Sequence, residues 1–262
     1  DQHFVRSLLK RPKSAIFGNS PWSQILLERT YGLPSDPTTT NGHAPRRDQN
    51  QRPLEGSHVL PTVDLSNWPA EPTPEEGVER AELALPEGPY VITIGTISHV
   101  KGTYDTLRSL ENTPYALVQA GGGSTADKAA LVAEGKRLGV EVVCMPRLSQ
   151  TALVGVVRGA HAMVSHAHHE PFGFTPLEAM AVGVPPIMVD EGGFHYTMTG
   201  SGAGMLVQRE NRAGWRAAYE AAADPETRNA WAIAGRKHVA NKYPPESQLE
   251  AIERIMAPFL DR

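Results

Sequence analysis

From position 90 onward the chain carries six short apolar runs, and this repeated pattern constrains the fold more than any other feature of the sequence. The runs are rich in β-branched residues and predominantly apolar, which is typical of strands buried on both faces of a parallel sheet. The predicted strands are Tyr90–Ile94, Ala116–Gln119, Val140–Cys144, Ala162–Ser165, Pro186–Val189 and Gly204–Val207.

Helical stretches separate these runs and continue after the last of them. We expect helices over Thr103–Asn112, Thr125–Leu138, Gln150–Gly159, Pro176–Val182, Ala213–Ala223, Pro225–Tyr243 and Glu246–Leu260. Strands that alternate with helices at this spacing predict a Rossmann-like α/β fold, a doubly wound parallel sheet with helices on both faces. Ligands of such sheets bind beyond the carboxyl ends of the strands, so the loops after the strands are the candidate functional segments.

The earlier part of the chain has a different texture. A short strand is expected over Ser14–Phe17, and Ser20 followed by proline predicts the start of a helix over Pro21–Tyr31. The segment Leu33–Pro89 reads as irregular because it is dense in turn-forming residues. Within it, the polar run Arg46–Pro53 predicts a mobile surface loop.

Composition favours a small-molecule substrate. The 262 residues are 40% hydrophobic and 21% charged with a net charge of −4, so no basic excess indicates binding to nucleic acid or to an anionic membrane. No apolar run approaches the roughly 18 residues of a transmembrane segment, and no signal peptide is recognisable. The single cysteine, Cys144, fits a reducing compartment. We therefore expect a cytoplasmic protein.

Two glycine-containing loops are candidate phosphate sites. The first predicted strand leads into Gly95, then Lys101 and Gly102, and then a helix start at Thr103. Free amides and an ammonium at a helix start suit a phosphate, although the spacing is not that of a P-loop. A plain turn with a solvated lysine remains an alternative. The turn Gly121–Gly123 either lets a ligand approach the backbone or only permits a tight turn.

The loop after the fourth strand is the most informative. Thr175 and Glu178 have the spacing of a capping box, with Thr175 as the cap, which predicts a helix start there. The amides that precede this start would be available to an anion such as a diphosphate. Glu178 thus has a structural role, whereas Glu170 has none and follows a buried strand. An unpaired carboxylate in such a place indicates function.

A metal site is an alternative interpretation of the same loop, with imidazole and carboxylate ligands. Adjacent side chains at the end of a strand point to different faces, and the spacing matches no common zinc pattern. The residues concerned are His166, His168, His169 and Glu170, with His195 as the further ligand.

Glu170 and Glu178, with seven residues between them, stand within Glu-Pro-Phe-Gly-Phe-Thr-Pro-Leu-Glu-Ala-Met-Ala. This segment resembles the signature of the retaining GT-B glycosyltransferases of family GT4. The order and spacing of motifs agree from about Tyr90 to Val207. The other matching motifs are Ile94-Gly95-Thr96 with Lys101-Gly102, Gly121-Gly122-Gly123, Gly183-Val184-Pro185-Pro186-Ile187 and Gly192-Gly193.

The resemblance implies the C-terminal half of a GT-B fold. Residues 1–56 would be a remnant of the N-terminal GT-B domain with a mobile linker, residues 57–242 the nucleotide-sugar-binding domain, and residues 243–262 a helix that crosses back to the N-terminal domain. The rest of the N-terminal domain, with the acceptor site, would then belong to a longer protein or to a partner chain.

The resemblance also implies roles for individual residues. Lys101 would bind the donor diphosphate, Glu170 would lie beside the transferred sugar, and Glu178 would bind the ribose hydroxyls. Lys101 and Glu170 are therefore the expected catalytic residues, and no cofactor or metal is expected. The remaining donor-binding residues would be Gly95, Thr96, Gly121, Arg147, Leu148, Phe172, Gly173, Phe174 and Thr175.

Two positions depart from the family pattern. Thr96 stands where an arginine commonly follows the first glycine and pairs with the lysine on phosphate. Tyr196 replaces the glutamate that is usual three residues after the double glycine. The first departure weakens the inference of diphosphate binding.

We expect a retaining hexosyltransferase that moves a hexose from a nucleoside-diphosphate sugar to an unknown acceptor, with UDP favoured as the commonest nucleotide of the family. The alternatives are a non-catalytic nucleotide-sugar-binding subunit, active only with a partner that supplies the N-terminal domain, and a GT-B-shaped epimerase or phosphorylase.

Overall fold

The computed structural model of the chain describes residues 18–31 and 59–260. The expected strand Ser14–Phe17 and the expected mobile loop Arg46–Pro53 lie outside the described residues. The expected helix start at Pro21 is confirmed, because Ser20 Oγ accepts a hydrogen bond of 3.0 Å from the amide of Ser23.

The described strands form one six-stranded sheet in the order β3-β2-β1-β4-β5-β6, with every neighbouring pair parallel. The prediction of a doubly wound parallel sheet is confirmed. The strands are β1 (Tyr90–Ile94), β2 (Ala116–Ala120), β3 (Val142–Cys144), β4 (Ala162–Ser165), β5 (Pro186–Val189) and β6 (Met205–Val207).

Helices connect the strands and follow the last one. None of the described helices is both long enough and apolar enough to cross a lipid bilayer. They are α1 (Pro21–Tyr31), α2 (Pro74–Ala81), α3 (Thr103–Ser109), α4 (Thr125–Leu138), α5 (Gln150–Arg158), α6 (Phe174–Ala181), α7 (Gly192–Met198), α8 (Arg212–Ala223), α9 (Pro225–Lys242) and α10 (Pro245–Leu260).

Helix α2 contradicts the prediction that the chain is irregular up to Pro89. Its start has a recognisable signal, because Thr73 Oγ1 accepts from the amide of Glu76 and a proline occupies the first helical position. The turn-forming residues around it obscure this signal. Helix α7 is also absent from the prediction, since it begins with two glycines.

The central strands are buried on both faces, as their continuous apolar sequence requires. Each such side chain contributes roughly 1.5–3 kcal/mol when it leaves water, so the sheet is the main source of stability in this part of the chain. Side chains that are 0% exposed include Val91, Ile92, Leu117, Val118, Met163, Val164, Ile187 and Met188.

The chain divides into two compact units, residues 63–241 and residues 1–62 with 242–262. The sheet belongs to the first of these. In the other unit the amide of Val59 donates to the Gly18 carbonyl oxygen at 3.0 Å, and Val59 and Ala251 are both buried. The domain boundaries expected after residues 56 and 242 stay predictions.

The loops at the carboxyl edge of the sheet meet through their main chains. Gly102 precedes α3 with a φ of 63°, and a Cβ at this position would overlap the carbonyl oxygen of His166 after β4. A Cβ at Gly121, after β2, would overlap the carbonyl oxygen of Gly95 after β1. The amide of His168 also donates to the Val100 carbonyl oxygen at 2.8 Å. Glycine is therefore required where these loops cross.

We expect Gly102→Ala to lower the free energy of unfolding by about 3 kcal/mol or more, because it adds overlap with a main-chain oxygen to left-handed backbone strain. The matched control is Gly139→Ala at the end of α4, where φ is 70° and no atom lies within 4 Å of the added carbon. Strain alone should then cost about 1–2 kcal/mol. Urea unfolding measures both losses, and equal losses would contradict the proposed contact.

Candidate functional site

The strand order reverses between β1 and β4, which lie side by side at the centre of the sheet. The chain continues from β1 towards β2 on one side and from β4 towards β5 on the other. Open α/β sheets bind ligands in the crevice at the carboxyl ends of the two strands where the order reverses. The loops after β1 and β4 are therefore the first place to look for a site.

These two loops are joined by an ion pair between Lys101 Nζ and Glu170 Oε2 at 2.8 Å. The lysine side chain is 41% exposed and the glutamate side chain 17% exposed, so the pair faces solvent through the lysine. The structure thus brings the two expected catalytic residues together. The hypothesis that Glu170 has no structural partner is wrong, because that partner lies 69 positions away in the sequence.

Local hydrogen bonds hold the lysine in place. The amide of Lys101 donates to Ser98 Oγ at 3.1 Å, and the amide of Ser98 donates to Thr103 Oγ1 at 3.3 Å. The stem of Lys101 crosses Gly95, where an added Cβ would lie 3.6 Å from the lysine Cγ. Gly95 and Lys101 are therefore neighbours, although five residues separate them.

The loop after β5 holds the main chain of Glu170. The amide of Gly193 donates to the Glu170 carbonyl oxygen at 2.6 Å. A Cβ at Gly192 would lie 2.8 Å from the same oxygen, and a Cβ at Gly193 would overlap the carbonyl oxygen of Phe172. The double glycine thus has a packing role, because only residues without side chains let this loop approach.

Helix α6 begins earlier than the sequence predicts. Its first residue is Phe174, and its N-cap is Gly173 with a φ of 94° and no side-chain capping bond. Thr175 is then the second helical residue and Glu178 the fifth, two residues beyond the third position from which a side chain bonds the cap. The capping-box prediction is therefore wrong. No described residue accepts from the amides of Phe174 or Thr175 outside the helix, so the helix start presents both.

Glu178 is a mostly buried carboxyl group. Burial raises the pKa of Glu178 to about 7. Among the described residues, none makes a hydrogen bond to its side chain. A carboxyl group buried in this way is unfavourable for folding, and the loss of its expected capping role leaves it without a structural explanation.

The other expected donor-binding residues lie along the same edge. Thr96 is exposed, and an added Cβ at Gly122 would lie 3.3 Å from its Oγ1. Arg147 is exposed and Leu148 half-buried, both in the loop after β3, which is two strands away from β1. Phe172 is buried and its ring contacts that of Phe174 edge-on, with 4.8 Å between centroids.

The histidines of this region have separate surroundings. His166 is buried and stacks on Trp215 with 3.7 Å between ring centroids, and burial lowers the pKa of His166 to about 3. Within residues 18–31 and 59–260, no group of three or more His, Cys, Asp or Glu side chains could hold a metal ion. Two other histidines pair with different carboxylates, His168 with Asp105 at 3.5 Å and His195 with Asp190 at 2.6 Å.

Gln119 contacts the loop after β1 and was not singled out by the sequence. It lies on β2 with a buried side chain, and its Nε2 donates to the Gly95 carbonyl oxygen at 2.7 Å. The sequence does contain a signal, a single polar residue in an otherwise apolar strand. One such residue does not by itself indicate a function.

Comparison with known proteins identifies relatives for most of this region. The family model described as Glycosyl transferases group 1 matches residues 76–238. The D-inositol 3-phosphate glycosyltransferase of Rhodococcus erythropolis is 28% identical over 183 residues, which cover 65% of this chain and 41% of that protein. The chain spans about two-fifths of the length of this curated relative.

Solved structures share the fold. The sucrose-phosphate synthase of Thermosynechococcus elongatus superposes with a TM-score of 0.73 at 22% identity and covers 100% of this chain, which spans 62% of that chain. HepE of Anabaena in complex with UDP-glucose superposes with a TM-score of 0.73 at 15% identity and covers 100% of this chain, which spans 67% of that chain. Both likenesses support the GT-B assignment of the fold.

The raised pKa of Glu178 predicts a pH-dependent stability. From the ordinary value of 4.5 to about 7, the folded state binds more protons than the unfolded state, so stability falls as pH rises through this window. Glu178→Gln removes the titration. The variant should match the parent near pH 4.5 and exceed its unfolding free energy at pH 8 by on the order of 3 kcal/mol.

Urea unfolding at several pH values measures this difference. The isosteric amide keeps the volume of the side chain, so packing changes contribute little. A difference between variant and parent that does not change with pH would contradict the assignment of a raised pKa to Glu178.

Proposed function

This chain belongs to the family of glycosyl transferases group 1, and on that premise we propose that it moves a hexose from a nucleoside-diphosphate sugar to an acceptor with retention of anomeric configuration. UDP is the favoured nucleotide, and the UDP-glucose complex of the structurally similar HepE supports this choice. Residues 57–242 are proposed as the donor-binding domain. The reaction is proposed to need no metal, because the chain supplies its own positive charge and helix amides.

The ion pair of Lys101 and Glu170 is the observation that carries this proposal. It places a cation and a carboxylate 2.8 Å apart at the point where the strand order reverses. A nucleotide sugar has an anionic diphosphate directly beside a sugar ring that gains positive charge in the transition state. The cation of Lys101 would lie beside the diphosphate and the carboxylate of Glu170 beside the sugar. Both charges that develop in the transition state would then be stabilised.

The ammonium of Lys101 is proposed to bind the donor diphosphate. The lysine side chain is 41% exposed and therefore accessible to a ligand. An ion pair that reaches solvent contributes little to stability, about 1 kcal/mol, so the lysine can exchange the carboxylate for the diphosphate, which carries two negative charges. The free amides of Phe174 and Thr175 at the start of α6 would add hydrogen bonds and the positive end of the helix dipole.

Glu178 is proposed to bind the ribose hydroxyls. Its carboxyl group is mostly buried and has no hydrogen bond from a described residue. Two vicinal hydroxyls would supply the donors that this carboxylate lacks, which accounts for a buried acid that folding alone disfavours. The loop that contains Arg147 and Leu148 lies at the same edge and is proposed to contact the base.

The proposed transfer breaks the bond between the anomeric carbon and the diphosphate oxygen and forms a bond from that carbon to the acceptor oxygen. Lys101 and the amides of α6 would stabilise the negative charge that develops on the departing diphosphate. Glu170 would position the sugar and stabilise its oxocarbenium character. A stable covalent bond to Glu170 is not part of the proposal.

We expect Lys101→Met to weaken the binding of UDP about tenfold or more, because it removes a charge-assisted contact to phosphate. The matched control is Lys136→Met, the same substitution at an exposed lysine near the end of α4, away from the carboxyl edge of the sheet. Isothermal titration calorimetry measures both variants. Equal affinities of the two variants would contradict the role of Lys101.

Glu170→Gln separates binding from turnover. The variant should bind UDP at least as tightly as the parent, because Lys101 no longer pairs with a carboxylate, while sugar transfer or donor hydrolysis falls about a hundredfold or more. Calorimetry with UDP and release of UDP from UDP-glucose provide the two measurements. A parallel loss of affinity and turnover would show that Glu170 acts only by holding the loop.

A further inference from the structure

Gln119 is an unusual residue for its position. It lies on the buried strand β2 and its side chain is 1% exposed. Its Nε2 donates to the carbonyl oxygens of Gly95 at 2.7 Å and Ala120 at 3.2 Å, whereas no described residue makes a hydrogen bond with its Oε1. An apolar side chain of the same volume would remove the Oε1 but would leave the Gly95 carbonyl oxygen without its Nε2 donor. The glutamine therefore serves the Gly95 carbonyl, while its own Oε1 stays without a partner among the described residues.

The contact that Gln119 makes fixes one peptide plane. Gly95 has a φ of 148°, a conformation that residues with side chains rarely adopt. The peptide between Gly95 and Thr96 lies between two main-chain hydrogen bonds of 2.9 Å, from Gly95 to Ala120 and from Ile97 to Gly122, and its carbonyl packs against Gly121. The hydrogen bond from Gln119 holds the carbonyl of this peptide towards β2.

The direction of the carbonyl determines the direction of the next amide. In a planar trans peptide the N–H points roughly opposite to the C=O. Since the Gly95 carbonyl faces Gln119, the amide of Thr96 faces away from the buried strand. Among the described residues, none accepts a hydrogen bond from this amide. Thr96 is an exposed residue, so a ligand can approach this part of the loop.

This amide lies in the same loop as the proposed phosphate ligand. The stem of Lys101 packs on Gly95, 3.6 Å from where a Cβ would be. Thr96 also occupies the place of the arginine that the family pattern leads one to expect. A fixed main-chain donor can supply a charge-assisted hydrogen bond to phosphate without a cationic side chain.

We propose that Gln119 is a positioning residue that fixes the Gly95–Thr96 peptide so that the Thr96 amide binds the diphosphate of the donor. The inference rests on the proposed function, since it needs a phosphate-bearing ligand at this edge of the sheet. Gln119 would not touch the ligand, and its effect on affinity would act through the Thr96 amide.

The test is Gln119→Met, which keeps the volume of the side chain and removes its donor. Affinity for the nucleoside diphosphate should fall about tenfold, the loss that corresponds to one charge-assisted hydrogen bond. The probe is whichever of UDP, GDP, ADP and dTDP the parent binds best. Affinity for the matching nucleoside, which has no phosphate, should stay within twofold by NMR titration, whose spectra also show that the variant is folded.

The matched control is Thr93→Val. Thr93 is 4% exposed, lies directly opposite Gln119 in the register of β1 and β2, and makes no described contact with the Gly95 peptide. It should bind the diphosphate as the parent does. If Gln119→Met also binds the diphosphate as tightly as the parent, or if it loses affinity for the nucleoside to the same extent, the positioning role is wrong.

A further test uses the parent protein and does not depend on whether a variant folds. In a ¹⁵N-labelled sample, the amide resonance of Thr96 should shift on titration with the diphosphate more than on titration with the nucleoside. A Thr96 amide that does not respond while that of Lys101 does would overturn the inference and leave the proposed function intact. A parent that binds none of the four diphosphates would overturn the proposed function and this inference with it.

Discussion

At the carboxyl edge of the sheet, main chain packs directly against main chain, and the rest of the site depends on this approach. Gly102 crosses the end of β4, Gly121 crosses the loop after β1, and Gly193 crosses the loop that contains Glu170. Side chains at these crossings would hold the loops apart. Because the loops meet so closely, Lys101 and Glu170 can form a bond of 2.8 Å although they belong to different strand-loop units. The ion pair at this edge therefore depends on the close packing of the main chain.

The sheet could be predicted from the sequence because its information is local. The strands are predominantly apolar runs, which favours burial, and strands such as Tyr90–Ile94 and Pro186–Val189 have the bounds that the pattern predicts. Helix α2 was harder, since Thr73 and Pro74 signal a start inside a segment whose other residues favour turns. The prediction therefore followed the turn-forming composition of the whole segment and missed the helix start at Thr73 and Pro74.

The site was less predictable because its decisive features are not local. The start of α6 depends on the positive φ of Gly173, and the sequence offers Thr175 as an equally plausible cap. The partner of Glu170 lies 69 positions away, so no spacing rule reveals it. The structural roles of Glu170 and Glu178 are nearly the reverse of those expected, because Glu170 has a partner within the fold and Glu178 has none among the described residues.

The carboxyl group of Glu178, which has no hydrogen-bond partner among the described residues, would link ligand binding to proton release. With a pKa of about 7, the group is half ionised in neutral solution. A ligand whose hydroxyl groups donate to the carboxylate favours the ionised form and lowers this pKa. Binding near neutral pH would then release a fraction of a proton to the buffer, and the observed binding enthalpy would depend on the ionisation enthalpy of the buffer used. If Glu178 binds the ribose as proposed, the affinity of this edge for the donor would therefore depend on the pH of the solution.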